Sequence, residues 1–282
     1  MPETQAFSAP RRSWTPPSGT LGELVQASFS RALALLAHEE ELLAAARSAP
    51  AAPSFRDALL RQTVGIIAEV KRRSPSKGSI NPNLDALSRA SCYAEAGAAA
   101  VSVLTEPERF GGSIGDLREV ARGVAVPVLR KDFIVAPVQL HEARANGASA
   151  ALLIARALSM PALPELIEAG TEIGLDLLVE VRDTVELKRA LDAGATIIGV
   201  NNRNLETLVI DHGTVERILP LIPRHVVAIA ESGMTSRDDV QRAARAGADA
   251  VLIGSAVSAA EDAGAMVGSL TGVVVERDAR SN

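Results

Sequence analysis

From residue 65 onward the chain alternates between two hydrophobic patterns. Short apolar runs recur eight times: "IIAEVK", "AAVSVLT", "PVLRKDF", "ASAALLIA", "DLLVEV", "IIGVNN", "VVAIAES" and "ADAVLIG". Between them lie stretches with apolar residues at helical spacing, among them "DALSRASCYAEAG", "PVQLHEARANG", "TVELKRALDAG" and "SRDDVQRAARAG". Runs of the first kind read as buried strands and those of the second as amphipathic helices. Strict alternation of the two predicts parallel strands joined by right-handed crossovers.

The alternation is also a repeat. "EAGAAAVSVL", "ANGASAALLI", "DAGATIIGV" and "RAGADAVLI" place Gly97, Gly147, Gly194 and Gly247 equivalently, 50, 47 and 53 residues apart. Each glycine stands just past a helix end, where a left-handed cap favours it, and a strand starts within a few residues. A period near 50 is one βαβα unit, and four units close a (β/α)8 barrel. An open doubly wound sheet is the alternative, but no Gly-rich dinucleotide turn follows the first strand.

Upstream the pattern changes. Residues 1–20 are rich in Pro, Ser and Thr without periodicity and are expected as a flexible tail. Residues 21–64 are expected as an N-terminal helical extension: Leu and Ala recur at helical spacing over 21–47, "SAPAAPS" interrupts, and "FRDALLR" follows. The barrel is expected over 65–272, and 273–282 as a C-terminal tail.

Composition narrows this only slightly. Hydrophobic residues make up 47% of 282, but aromatics only 2%, so the core must be aliphatic, as layered α/β packing allows. A net charge of −5 gives no reason to expect nucleic acid or an anionic membrane as partner. No apolar run approaches the roughly 18 residues of a spanning helix. The single cysteine, Cys92, and an N-terminus without a signal-peptide core favour a cytoplasmic protein. A monomer or weak homo-oligomer is expected.

Polar positions inside the strands change the picture most. A barrel strand is buried on both faces, one toward the helices and one toward the interior. In "IIAEVK", Ile66, Ala68 and Val70 share one face, while Ile67, Glu69 and Lys71 share the other. The same count pairs Lys131 with Leu129 and Phe133, Glu180 with Leu178, Asn201 with Gly199, and Glu231 with Ile229. Glu69, Lys71, Lys131, Glu180, Asn201 and Glu231 thus converge from five strands on the C-terminal mouth, where barrels keep their active sites. A single charge at a strand end is ordinarily a solvated edge. Five charges and an asparagine on one face cost several kcal/mol per buried ion unless compensated, which points to function.

"ESGM" and "IGSA" put Gly233 and Gly254–Ser255 at the ends of the last two strands. Loops after strands seven and eight commonly bind phosphate through backbone N–H groups. The lysines and carboxylates suit proton transfer; a Schiff-base lysine fits no better. His38, His141, His212 and His225 are scattered and Cys92 is alone, so no metal site is expected.

Taken together, "IIAEVKRRSPSKG", "VSVLTEPERFGGS", "PVLRKDFIV", "QLHEARANGASAALLI", "LVEV", "GVNNRNL", "AIAESGM" and "ADAVLIGSAV" resemble, in order and spacing, the motifs of indole-3-glycerol phosphate synthase. The resemblance spans roughly residues 55–257. It implies a cofactor- and metal-free enzyme of tryptophan biosynthesis that closes the ring of 1-(2-carboxyphenylamino)-1-deoxyribulose 5-phosphate, releasing carbon dioxide and water. By that resemblance Lys131 is the general acid at the substrate carbonyl, and Lys71 holds the anthranilate carboxylate and can donate a proton during dehydration. Glu180 and Glu69 are the acid–base carboxylates. Asn201, Arg203, Glu231 and Ser232 match substrate-contacting positions. Ser74, Gly233, Gly254 and Ser255 match the phosphate and anchoring set, and Phe110 and Phe133 the apolar wall against the aromatic ring.

Several positions depart from the family pattern. "LLAHEEELLAAA" is acidic where the family's N-terminal helix is usually basic, Asn204 stands where Asp is usual, and Arg182 where His is common. Two related readings stay open: a paralogue acting on a substituted anthranilate, and phosphoribosylanthranilate isomerase, which works with a Cys/Asp pair. A barrel without catalysis would be expected to have lost a mouth Lys or Glu, and all are present.

Overall fold

The computed structural model describes residues 15–280. Eight parallel strands close a barrel: β1 (Gly65–Val70), β2 (Ala100–Leu104), β3 (Val128–Lys131), β4 (Ala150–Ile154), β5 (Asp176–Val181), β6 (Ile197–Asn201), β7 (Val227–Glu231) and β8 (Ala250–Ile253). Each pairs with its sequence neighbours, and β8 returns to β1 with Gly65 opposite Ala250. The strands are built of Val, Ile, Leu and Ala and are buried almost throughout, as sheets covered on both faces require. Gly97, Gly147, Gly194 and Gly247 end helices at φ of 97°, 88°, 83° and 95°, a region other residues avoid.

Among the described residues three α-helices precede the barrel: α1 (Gly19–Leu35), α2 (Glu39–Ser48) and α3 (Phe55–Leu59). The barrel helices are α4 (Ala86–Glu95), α5 (Ile114–Gly123), α6 (Pro137–Ala145), α7 (Ala162–Glu172), α8 (Thr184–Asp192), α9 (Gly213–Ile218), α10 (Arg237–Arg245), α11 (Ser255–Ala259) and α12 (Ala263–Leu270).

The extension covers both ends of the barrel. Helix α3 starts at Ser54, whose hydroxyl accepts the Asp57 N–H at 3.1 Å, and its Phe55 and Leu59 are fully buried at the N-terminal end. Helix α1 crosses the C-terminal end. Its start, at Gly19 rather than 21, is set by Glu206, which accepts the Ser18 N–H at 2.7 Å. Its middle is tied down by Arg31, 2.7 Å from Asp132, and by the Ser28 hydroxyl, which donates to the Phe133 carbonyl. The acidic Glu39–Glu41 segment opens α2, which packs along α6. Most of the expected N-terminal tail lies outside the described residues.

Residues 273–280, part of the expected C-terminal tail, are hydrogen-bonded to the barrel. Val64 N–H donates to the Val273 carbonyl at 2.7 Å, and Val275 N–H to that of Gln62 at 3.1 Å. Arg280 is buried against Asp249 at 2.9 Å and donates to the Val226 carbonyl at 2.7 Å. The segment thereby closes the N-terminal end of the barrel.

Candidate active site

Strand register delivers the polar groups to one level. Glu69 lies opposite Ser102, Lys131 opposite Leu104, Glu180 opposite Gly199 and Asn201 opposite Glu231. All point inward at the C-terminal mouth, as the two-residue period of a strand dictates.

Lys131 is the centre. Its Nζ lies 3.1 Å from Glu231 Oε2 and 3.6 Å from Glu180 Oε2. Burial disfavours its charge, but Glu231, Glu180 and Glu69 outweigh that and hold its pKa above the ordinary lysine value. Lys71 Nζ donates to Glu69 Oε1 at 2.6 Å. Burial likewise opposes ionisation of Glu69, yet Lys71 and Lys131 together keep it below the usual carboxylate range. Burial pushes Glu231 up to about 7, with Lys131 pulling it down and Glu180 adding repulsion. Its Oε1 is buried without a hydrogen-bond partner among the described residues.

Two glycines make room for these charges. A Cβ on Gly199 would lie 2.1 Å from Glu231 Oε1, and one on Gly254 would lie 2.3 Å from Glu69 Oε1 and 2.8 Å from Lys71 Nζ. Alanine at either position would displace a carboxylate.

An open cavity of about 660 Å³ lies above this cluster. Of the residues expected from sequence, Glu69, Ser74, Phe110, Lys131, Phe133, Glu180, Asn201, Arg203 and Ser232 form its wall. Glu231 contacts Lys131 and Lys71 contacts Glu69, and neither is part of that wall. Gly233, at φ 77°, and Gly254 with Ser255 stand after β7 and β8, off that wall. Phe110 and Phe133 meet with ring centroids 6.0 Å apart and a 39° tilt, giving the cavity an aromatic side.

The loops carry their own support. Asn201 Oδ1 accepts the Arg203 N–H at 2.8 Å, fixing the turn after β6. Ser74 Oγ accepts the Lys77 N–H at 3.1 Å in the short hairpin Arg73–Ser74/Gly78–Ser79. Ser232 adopts φ 65°, rare for a residue with a side chain, and its carbonyl accepts from Asn202 Nδ2 at 3.1 Å. The departing Asn204 uses its Oδ1 to accept the Glu206 N–H at 2.8 Å, which an Asp oxygen would do equally well.

Sequence reasoning did not single out several lining groups. Leu152 and Ile154 of β4 were within reach of the same face count. Thr20 and Leu24 of α1 and Leu205 and Leu208 after β6 were not, because no period fixes where a loop or an added helix lies. Asp132 was also passed over: its carboxylate accepts from Thr105 at 2.7 Å, from the Phe133 N–H at 2.8 Å and from Arg31, holding the segment after Lys131.

Among the described residues no three His, Cys, Asp or Glu side chains are placed to hold a metal ion, and no helix is long and apolar enough to cross a membrane. Cys92 sits on α4, outside the barrel and away from the mouth.

A family profile described as indole-3-glycerol phosphate synthase matches residues 25–270. The indole-3-glycerol phosphate synthase of Parafrankia sp. (strain EAN1pec) is 50% identical over 227 residues, covering 79% of this chain and 85% of that protein. Indole-3-glycerol phosphate synthase 1 of Streptomyces coelicolor is 49% identical over 238 residues, covering 84% and 88%. Among solved structures, 3-hexulose-6-phosphate synthase from Salmonella typhimurium shares the fold alone, with a TM-score of 0.60 and 15% identity, covering 73% of this chain and 96% of that one.

Proposed function

The chain belongs to the indole-3-glycerol phosphate synthase family, and from that premise we propose how its residues divide the reaction. The activity is ring closure of 1-(2-carboxyphenylamino)-1-deoxyribulose 5-phosphate to indole-3-glycerol phosphate, a carboxy-lyase step of tryptophan biosynthesis. The observation that carries the residue roles is a charged lysine held by two carboxylates beside an aromatic-walled cavity.

The aromatic ring lies against Phe110 and Phe133, which brings its carboxylate-bearing carbon to the substrate carbonyl. Lys131 gives a proton to the carbonyl oxygen as the carbon–carbon bond forms. The bond to the carboxylate then breaks, its electron pair restores the aromatic ring, and carbon dioxide leaves. In the dehydration a second proton goes to the departing hydroxyl, from Lys71 or a protonated Glu, and the methylene beside the nitrogen loses one to a carboxylate. Glu69 and Glu180 serve these exchanges, with Glu231 setting the charge and position of Lys131.

Lys71 and Arg203 neutralise the substrate carboxylate at the rim, and Asn201 and Ser232 orient the sugar chain. Ser74 and the backbone at Gly233, Gly254 and Ser255 take the phosphate, since loops after the last two strands present N–H groups to an anion. A cytoplasmic setting follows from the single cysteine and the biosynthetic role. Phosphoribosylanthranilate isomerase chemistry is disfavoured because Cys92 lies outside the mouth.

The test is to mix the purified protein with 1-(2-carboxyphenylamino)-1-deoxyribulose 5-phosphate, without metal or nucleotide, and follow indole fluorescence and carbon dioxide together. One carbon dioxide per indole is expected. Tight binding without product would contradict the reading.

A further inference from the structure

The reaction has a proton balance that the mouth alone does not meet. Two protons go onto substrate oxygens and one comes back from the methylene, while the carboxylate leaves as neutral carbon dioxide. One proton must therefore be taken from solvent in every turnover. A substrate bound in the mouth cavity would stand between Lys131 and the solvent above it.

A second chamber, of about 520 Å³ and open to solvent, lies beside the first. Ile154, Glu180, Arg203 and Leu205 line both, so Glu180 faces the substrate cavity on one side and the side chamber on the other. Its wall also carries Glu186, from the first turn of α8. Glu186 is 9% exposed, and its Oε2 accepts the Arg182 N–H at 2.8 Å. That bond accounts for an acceptor at this position, which a glutamine would supply equally well. It does not account for an ionisable group buried beside a chamber.

We propose that Glu186 is a proton relay for the ring-closing reaction, acting through Glu180: it takes a proton from solvent in the side chamber and passes it, through water in that chamber, to Glu180, which restores the proton spent by the lysine at the mouth. This rests on the acid–base roles given above to Lys131 and Glu180. No bond other than O–H and N–H is made or broken in the transfer. Each proton received by Glu186 is given up again, so the residue is unchanged over a cycle. Glu186 does not touch the substrate and is a positioning residue for the proton.

The surroundings suit the task. Asp183 and Arg189 face Glu186 from its own helix, Glu180 and Arg182 from β5 and the loop after it. Arg156 faces it from the loop after β4, and Arg203 and Glu206 from the loop after β6. Arg156 is already committed to Glu206 at 3.0 Å. Burial raises the Glu186 pKa most and the Asp183 charge adds to it, against the Arg182 N–H, leaving it at about 7. A group at that value binds and releases protons with equal ease near neutral pH.

The experiment compares Glu186→Gln and Glu186→Asp with the wild type in steady-state turnover, at several concentrations of imidazole and across pH 5.5–8.5. Glu186→Gln keeps volume and the acceptor for Arg182, so a structural role would survive it. The expected result is a kcat lowered about tenfold with KM within about twofold, recovering as imidazole is raised, with the inflection near pH 7 lost. Glu186→Asp, which keeps the acid, should turn over without dependence on imidazole. A Glu186→Gln enzyme with wild-type kcat and pH profile would overturn the proposal. So would an equal loss in both variants that imidazole does not restore. A wild type silent toward the substrate would instead overturn the roles assigned at the mouth, so the two failures are distinguishable.

Discussion

Both ends of this barrel bury charge, and for opposite purposes. At the N-terminal end, Asp249 is fully buried and both its oxygens are used: they accept from Arg277, from Arg280 at 2.9 Å and from the Ala228 N–H at 2.9 Å. Arg280 spends another nitrogen on the Val226 carbonyl. At the C-terminal mouth three carboxylates share two lysines around an open cavity, and one buried oxygen of Glu231 has no partner among the described residues. Buried charge alone therefore does not mark a site. Incomplete satisfaction does not either, since Arg280 Nε is buried without a partner among the described residues; what marks the mouth is titratable charge next to open volume.

The sharpest way to break the comparison is at the closed end. Asp249→Ala leaves the Arg280 guanidinium buried without its carboxylate, and should cost about 3–5 kcal/mol in urea unfolding, while kcat per folded molecule stays at the wild-type value. A fall in kcat at full folding would mean that the two ends are coupled. Glu180→Gln should do the reverse. Turnover is expected to fall by about 100-fold, with the unfolding midpoint held near that of the wild type.

The pH dependence of stability separates the ends further. Glu231 titrates near 7 in the folded chain, against 4.5 for an ordinary glutamate, so between these values the folded state holds more protons than the unfolded one. Its contribution to stability is complete below 4.5 and is lost as pH rises through 7. Unfolding free energies of wild type and Glu231→Gln should accordingly diverge from pH 5 to pH 8, with the wild type losing ground. A constant difference would contradict the assignment. The smallest effect belongs to the tie between α1 and the mouth. Glu206 Oε1 takes both the Ser18 N–H and Arg156, and a part-exposed pair is worth about 0.2–1 kcal/mol. Glu206→Ala should raise KM by at most about fivefold, in steady-state kinetics, with kcat unchanged.

The mouth was legible in the sequence because a strand has a rigid period of two. Once Ile67 is placed inward, Glu69 follows, and the same count places Lys131, Glu180, Asn201 and Glu231. Helix caps at Gly97, Gly147, Gly194 and Gly247 were legible for a similar reason, since a helix end followed at once by a strand needs a left-handed residue. What escaped depends on contacts distant in sequence. Asp249 and Arg280 are 31 residues apart and no pattern links them, so residues 273–282 read as a tail. Thr20 and Leu24 reach the cavity because Ser18 and Arg31 anchor α1 across the mouth, and nothing in the sequence sets Glu186 apart from other first-turn helix acids.

The central claim is that Lys131 is kept charged at the mouth for chemistry. The most direct measurement is turnover of 1-(2-carboxyphenylamino)-1-deoxyribulose 5-phosphate by Lys131→Ala and Asp249→Ala side by side, each corrected for its folded fraction by its thermal melt. The account predicts that Lys131→Ala still binds substrate but loses about 1,000-fold in kcat, while Asp249→Ala loses stability and keeps its rate. A folded Lys131→Ala enzyme turning over within tenfold of the wild type would contradict it.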